Sequence, residues 1–191
     1  MGKIVHLKKV REFIGGTPVF RVKDIELVVG SRGYAYLLLH NLVSRGEIRR
    51  LVKGWYTTCD DPVVSVFAFR PAYLGLEEAL SLRGLWEQET NVVIVTPLRV
   101  RVGMRRIMDS NVVVRRISSK YFFGVEYLRY GDLFLPVSDV EKTLVDFFYF
   151  DEPIDSRTLK KLWRLVDRRR VFHYLRRFPR AVGSRVRKAV V

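Results

Sequence analysis

The stretch from Ser31 to Thr57, SRGYAYLLLHNLVSRGEIRRLVKGWYT, constrains the fold of this chain more than any other. With Ala35 as origin, apolar residues recur at Ala35, Leu38, Leu39, Leu42 and Val43, the i, i+3, i+4, i+7, i+8 stripe of a helix with one buried face. Ser31 stands where an N-cap hydroxyl accepts from a first-turn N–H, and Gly46 follows Arg45 where a left-handed residue ends a helix. Beyond the helix, Ile48–Leu51 and Trp55–Thr57 are short β-rich runs on either side of a turn through Val52, Lys53 and Gly54, which predicts a hairpin.

The upstream residues supply the rest of a small unit. Val5–Ile14 predicts a helix with Val10, Phe13 and Ile14 on one side, ended by Gly15-Gly16. Thr17–Phe20 predicts an extended piece able to pair with the hairpin. Val22–Val29 predicts a second helix with Val22, Ile25 and Val28 or Val29 facing in, and Gly30 turns into Ser31. Helix, strand, helix, turn, helix, hairpin resembles a winged helix-turn-helix, in which the second helix braces the recognition helix and the wing touches the DNA backbone.

The helix face opposite the apolar stripe carries Gly33, Leu37, His40, Asn41 and Ser44, flanked by Tyr34 and Tyr36, and it has no carboxylate. Asn can pair bidentately with adenine, and an apolar side chain can meet the thymine methyl in a major groove. Arg32, Tyr34, Tyr36, Leu37, His40 and Asn41 are therefore the candidate sequence-reading residues, with Arg32, Arg50 and Lys53 placed to reach phosphates. The competing reading packs Tyr36 and Leu37 against another domain or subunit.

The net charge of +15 and sequence pI near 10.3 point to an anionic polymer as partner. Residues 1–60 carry 11 Lys+Arg against 5 Asp+Glu, residues 61–150 carry 11 against 11, and residues 151–191 carry 13 against 4, so both ends are basic and the middle is balanced. Within the middle, Leu98–Val102 alternates with period two, which predicts a strand with Arg99 and Arg101 on one face; with Arg105 and Arg106 they form a candidate phosphate-binding patch. Arg168, Arg169 and Arg170 are the candidate contacts of the tail. Cys59 is alone, which excludes an intrachain disulfide, and His6, His40 and His173 lack metal-ligand spacing. No Ser/His/Asp or Cys/His set and no Gly-rich phosphate loop is recognisable, so neither catalytic residues nor a cofactor or metal is expected. MGKIVHLKKV lacks the apolar core of a signal peptide and no apolar run reaches membrane-spanning length; the expectation is a cytoplasmic chain with no membrane partner.

Asp60-Asp61-Pro62 predicts a domain boundary, giving a DNA-binding domain over 1–60 and a second domain over 61–191. Val63–Phe69 fits strand or helix. Leu76, Ala79, Leu80 and Leu82 form a helical stripe stopped by Gly84, Val92–Thr96 reads as a buried strand, and Val112–Ile117 as another. Phe122–Arg129 and Leu133–Val137 flank a Tyr130-Gly131-Asp132 turn. Ser138 and Glu141 have the spacing of a capping box at the start of an apolar helix with Leu144, Val145, Phe147 and Phe148. Ser156–Val191 reads as two or three basic helices with stripes Leu159/Leu162/Trp163/Val166 and Phe172/Leu175/Phe178. The predicted fold class is α+β: a winged helix-turn-helix, then an α+β domain with a small antiparallel sheet and a basic helical C-terminus.

Asp139, Glu141, Lys142 and Asp146 invite a metal-nuclease reading. A restriction-type nuclease, however, wants an upstream Asp and then Glu-x-Lys on one strand. Adjacent Glu141 and Lys142 at a helix start read instead as capping and dipole charges, and Asp60-Asp61 and Glu77-Glu78 as solvated surface. The aromatic content of 13% reads as core, which leaves RNA binding on stacking platforms a lesser alternative.

Taken together, YLLLHNLVSRGEIRRLVKGWY, PAYLGLEEALSLRGL, NVVIVTP and VSDVEKTLVDFF resemble, in order and spacing over most of the chain, the AbiEi family of antitoxins from type IV toxin–antitoxin (abortive infection) systems. The resemblance implies a transcriptional repressor that binds an inverted repeat of double-stranded DNA in its own promoter. It also implies a nucleotidyltransferase-like toxin as functional partner, which the antitoxin need not touch. A monomer in solution, with two copies on the repeat, would suit that operator. Arg83 departs from the family, whose members often carry His before the Gly-Leu, and the tail is short and very basic. The alternatives are an orphan transcription factor of the same fold, a metal-dependent nuclease and a pure interaction module.

Overall fold

The computed structural model describes residues 2–190. The chain divides into two compact units, residues 1–68 with 106–110, and residues 69–105 with 111–191.

The first unit contains α1 (Gly2–Gly16), β1 (Val19–Arg21), α2 (Val22–Val29), α3 (Arg32–Ser44), β2 (Arg49–Val52) and β3 (Trp55–Thr57). Its strands pair antiparallel in the order β1-β3-β2, which with this element order is a winged helix-turn-helix. Local chemistry sets the boundaries. The Arg21 N–H donates to Asp24 Oδ2 at 2.7 Å as α2 begins, and Gly30, at φ +75°, ends it. Ser31 Oγ accepts from the Tyr34 N–H at 3.4 Å to start α3. The apolar faces of the three helices close over Phe20, Ile48 and Tyr56, with Ala35, Leu38, Leu39 and Leu42 of α3 buried and Val43 left exposed at the edge of the stripe. Of the two candidate valines in α2, Val29 is buried.

In the hairpin a register shift between Arg50 and Val52 buries Leu51 and leaves both Arg49 and Arg50 exposed, which strict alternation would not allow. The turn is Lys53-Gly54, with Gly54 at φ +81°, and the Gly54 carbonyl accepts from the Val22 N–H at 3.1 Å. Val63–Phe69, the segment the sequence leaves undecided, lies in a 3₁₀ helix over Pro62–Phe69. Asp61 Oδ1 accepts from the Val63 N–H at 2.9 Å, so Asp61-Pro62 opens a helical turn and the unit runs on to residue 68 instead of ending at 60.

The second unit contains β4 (Tyr73–Leu74), α4 (Leu76–Ser81), β5 (Val92–Thr96), β6 (Gly103–Ile107) up to Arg105, β7 (Ser110–Arg116) from Asn111, β8 (Val125–Tyr130), β9 (Leu133–Ser138), α5 (Val140–Phe150), α6 (Ser156–Leu165), α7 (Arg168–Leu175) and α8 (Arg180–Val190). Its sheet is larger than expected and mixed: the order is β6-β7-β5-β4-β9-β8, with β4–β9 and β5–β7 parallel. A strand such as β5, buried at all five residues, belongs inside a sheet covered on both faces. Leu144, Val145 and Phe147 of α5 are fully buried among residues of α4, β5 and the three C-terminal helices.

Three sequence expectations fail here. Leu98–Val102 is not a strand: the Val100 N–H donates to the Leu98 carbonyl at 3.0 Å, which closes a tight turn, and β6 begins only at Gly103. Leu98 and Val102 are exposed, so the alternation has no apolar face behind it. The capping box is shifted by one residue, because Ser138 is the last residue of β9 and Asp139 is the cap, its Oδ1 accepting from the Lys142 N–H at 2.6 Å. Ser138 Oγ instead lies 2.7 Å from Thr143 Oγ1, and Glu141 accepts from the Asp167 N–H at 2.8 Å. Phe172 points outward although Leu175 and Phe178 are buried. Arg83 donates to the carbonyls of Ala79 and Ser138 and to Glu126, tying the end of α4 to β8 and β9.

Candidate nucleic-acid interface

The outer face of α3 follows from the burial of its stripe. Tyr36 and Leu37 are 46% and 53% exposed, and Arg32, His40 and Asn41 also face solvent. Tyr34 does not belong with them. It is half-buried, with its ring edge-on to His6 of α1 at 5.8 Å, so it packs α3 onto α1. Leu27 of α2, 85% exposed, is an apolar side chain at the turn preceding α3 that helical periodicity alone did not single out.

Ion pairing decides which cations of this unit are available. Glu47 accepts from Arg11 at 2.8 and 2.9 Å, and Arg45 lies 3.9 Å from it. The Arg11 hydrogen bonds hold the Glu47 carboxyl below the usual range. Burial raises the Asp24 carboxyl, but its bonds to Arg21 overcome that and leave it below the usual range. Asp60 takes Arg49 at 2.9 Å. Arg32, Arg50 and Lys53 are exposed and, among the described residues, have no ion-pair partner. Asp24, Glu47 and Asp60 are taken by Arg21, Arg11 and Arg49, and the start of α3 and the wing keep the positive charge of Arg32, Arg50 and Lys53. Within the same unit Arg50 and Arg106 line one cleft of about 430 Å³ together with Arg49, Val43 and Asp109.

The other predicted phosphate contacts scatter. Arg99 and Arg101 lie on the irregular segment before β6. Arg105 is half-buried, its guanidinium 5.4 Å from the Phe69 ring centroid and bonded to the Arg101 carbonyl. Arg106 is exposed on the opposite face of β6, with Asp109 at 3.9 Å. Arg105 and Arg106 thus face opposite sides of β6. In the tail, Arg168 lies over the Trp163 ring at 5.3 Å and Arg169 is exposed. Arg170 is a structural bridge: it bonds Asp139 at 2.8 Å and Tyr174 Oη at 3.0 Å, with Glu141 at 3.6 Å.

The acidic motif at the start of α5 is also divided. Asp139 and Glu141 face Arg170, whereas Lys142 and Asp146 are paired one turn apart with no exposure. Tyr73 Oη donates to Asp146 Oδ2 at 2.7 Å and accepts from Lys142 Nζ at 2.8 Å. Rings of Tyr73, Phe123 and Phe178 surround the ammonium at 5.1, 5.7 and 5.4 Å. Burial pushes the Lys142 amine down and the Asp146 carboxyl up, against their mutual attraction, and pushes Tyr73 well above its ordinary range. Asp139 caps its helix and Glu141 stands in the first turn, but Glu141, Lys142 and Asp146 are buried, and Lys142 and Asp146 pair with each other. Glu78 is buried too, and burial raises the Glu77 carboxyl, so that pair is not solvated surface either. Among the described residues no three His, Cys, Asp or Glu side chains are placed to hold a metal ion.

No protein-family model and no curated protein sequence matches the chain. The fold is similar to that in a crystal structure of the RV2827C protein from Mycobacterium tuberculosis, with a TM-score of 0.65 and 16% identity over 97% of this chain and 76% of that one. At that identity the likeness is one of fold. No helix among the described residues is long and apolar enough to cross a membrane.

Proposed function

We propose that the chain is a sequence-specific DNA-binding regulator, an AbiEi-like cytoplasmic antitoxin that represses its own operon. The observation that carries this reading is the outer face of α3: Tyr36, Leu37, His40 and Asn41 exposed without a carboxylate, beside Arg32, Arg50 and Lys53 left unpaired. Arg32 at the helix start and the two wing cations take phosphates and set the register, and Asn41, His40 and Leu37 reach base edges. The AbiEi assignment rests on the order of sequence motifs and supplies the operator type, an inverted repeat, and the toxin as functional partner.

The test is binding to a duplex of the chain's own upstream region and to a scrambled duplex, across a salt series. The expected preference for the native duplex is about a thousandfold or more. Asn41→Ala and His40→Ala lower that preference, each true base contact contributing about 1–3 kcal/mol. Lys53→Ala weakens binding to every sequence and flattens the salt dependence by about 0.9. Equal, steeply salt-dependent binding to both duplexes would overturn the reading. Rescue of growth arrest caused by the product of an adjacent gene separates an antitoxin from an orphan regulator.

A further inference from the structure

The three C-terminal helices carry most of the excess charge, and the unpaired arginines there extend beyond the predicted run Arg168–Arg170, of which Arg170 is ion-paired. Arg176, at the end of α7, and Arg180 and Arg187, on α8, are exposed and, among the described residues, have no carboxylate partner. All three line one groove of about 590 Å³ between α7 and α8, and among the described residues no carboxylate lines it. Its floor is apolar, formed by Leu175 and Phe178, and its rim holds Phe172, 41% exposed. Gly183 also lines it, and a Cβ built there meets nothing within 4 Å, so the lack of a side chain keeps the groove open.

Three guanidiniums around one concavity repel one another, and a fold that places them without a counter-charge is stabilised by an anion with several acceptor oxygens. Phosphate oxygens fit the planar donors of arginine, and an exposed aromatic ring beside them suits the face of a base, the pairing used to hold unpaired nucleic acid. The groove's volume lies within the range of small-ligand sites, enough for a nucleotide and too small for a protein segment of any length. A base inside a duplex cannot offer its face to Phe172.

We propose that the α7–α8 groove is a second site, independent of the winged helix, that takes a nucleotide unit: phosphates on Arg176, Arg180 and Arg187, and an unpaired base against Phe172. The unit can come from a single strand or from a free nucleotide, and competition separates the two.

Fluorescence anisotropy with a short labelled oligothymidylate, on the full chain, tests the site. The unmodified chain binds it with a salt dependence that the combined change Arg176→Ala/Arg180→Ala/Arg187→Ala flattens by about 2, at about 0.7 per phosphate on single strands. Phe172→Ala weakens the oligothymidylate by about five- to a hundredfold, leaves a duplex of equal length unaffected, and Phe172→Tyr restores binding. Gly183→Met fills the groove and abolishes oligothymidylate binding with no fall in melting temperature, because it replaces a helical glycine by a better helix former. ATP displacing the oligothymidylate identifies a free nucleotide as ligand; failure to displace it identifies a strand. No salt-dependent oligothymidylate binding, an unchanged salt slope in the triple variant, or equal loss of single strand and duplex in Phe172→Ala overturns the proposal. His40→Ala/Asn41→Ala changes none of these results, so this site and the winged-helix reading fail separately.

Discussion

The Lys142–Asp146 pair makes the sharpest prediction about what holds the second unit together. Both side chains are completely buried, and among the described residues the only other polar group bonded to them is Tyr73 Oη. Lys142→Met leaves Asp146 with the Tyr73 hydroxyl alone. The carboxylate then takes up a proton, which at pH 7 costs up to about 4 kcal/mol from an ordinary carboxyl pKa. Asp146→Leu leaves the ammonium with the Tyr73 oxygen and three ring faces, and shedding its proton costs up to about 4.6 kcal/mol. Each single change should therefore destabilise by about 3–5 kcal/mol, the range for breaking a buried pair, and lower the melting temperature by about 6–20 °C. The two variants differ in pH response. In Lys142→Met the folded pKa of Asp146 stands above its unfolded value, so the variant recovers stability as pH falls towards the ordinary carboxyl range. In Asp146→Leu the folded pKa of Lys142 stands below its unfolded value, so the variant recovers as pH rises towards 10. The double change Lys142→Met/Asp146→Leu removes both charges and should lie within about 1–2 kcal/mol of the parent, with neither pH slope. Denaturant titrations at several pH values measure all four corners of the cycle. Single losses below about 1 kcal/mol, or a double loss equal to the sum of the singles, would refute the reasoning.

Three further outcomes follow from named contacts. Gly124 sits at φ +67°, where a Cβ would lie 2.9 Å from Lys142 Cβ and 3.1 Å from Asp139 Oδ2, so Gly124→Ala should cost about 2 kcal/mol or more in a urea titration. Burial, and then donation to Asp139, pushes the Tyr174 hydroxyl up to about 12. Its contribution is complete below pH 10 and lost as pH rises from 10 through 12, so Tyr174→Phe should begin about 1–2 kcal/mol less stable and show a shallower alkaline limb; parallel limbs would count against it. Ser31→Ala removes one long cap bond to α3 and should cost about 0.5–1 kcal/mol, read as a shift in denaturation midpoint without a change in slope.

Legibility in the sequence tracks how local the deciding interaction is. The start of α3, its buried stripe, the Gly30 and Gly54 turns and the boundaries of α2 depend on residues within a few positions, and periodicity and capping find them. The outward set Tyr36, Leu37, His40 and Asn41 follows from the same periodicity, whereas Tyr34, on the flank, is assigned inward by His6 from another helix. Alternation misleads at Leu98–Val102 because period two describes side chains, while strand formation needs a partner backbone that this segment does not have. The motif at α5 looked like a local capping box, yet Glu141 is claimed by Asp167, Asp139 by Arg170 and Tyr174, and Lys142 by Tyr73, 69 residues upstream. Charge behaves in the same way. A net charge is additive along the chain, but the availability of a cation is a pairing problem solved in three dimensions: Arg49 and Arg50 are neighbours, and only Arg49 meets Asp60. Arg170 is consumed by the fold, and Arg176, six residues on, is not. A basic run such as Arg168–Arg170 therefore reports the sign of the partner, and the surface that meets it is found by subtracting the carboxylates that folding brings to bear.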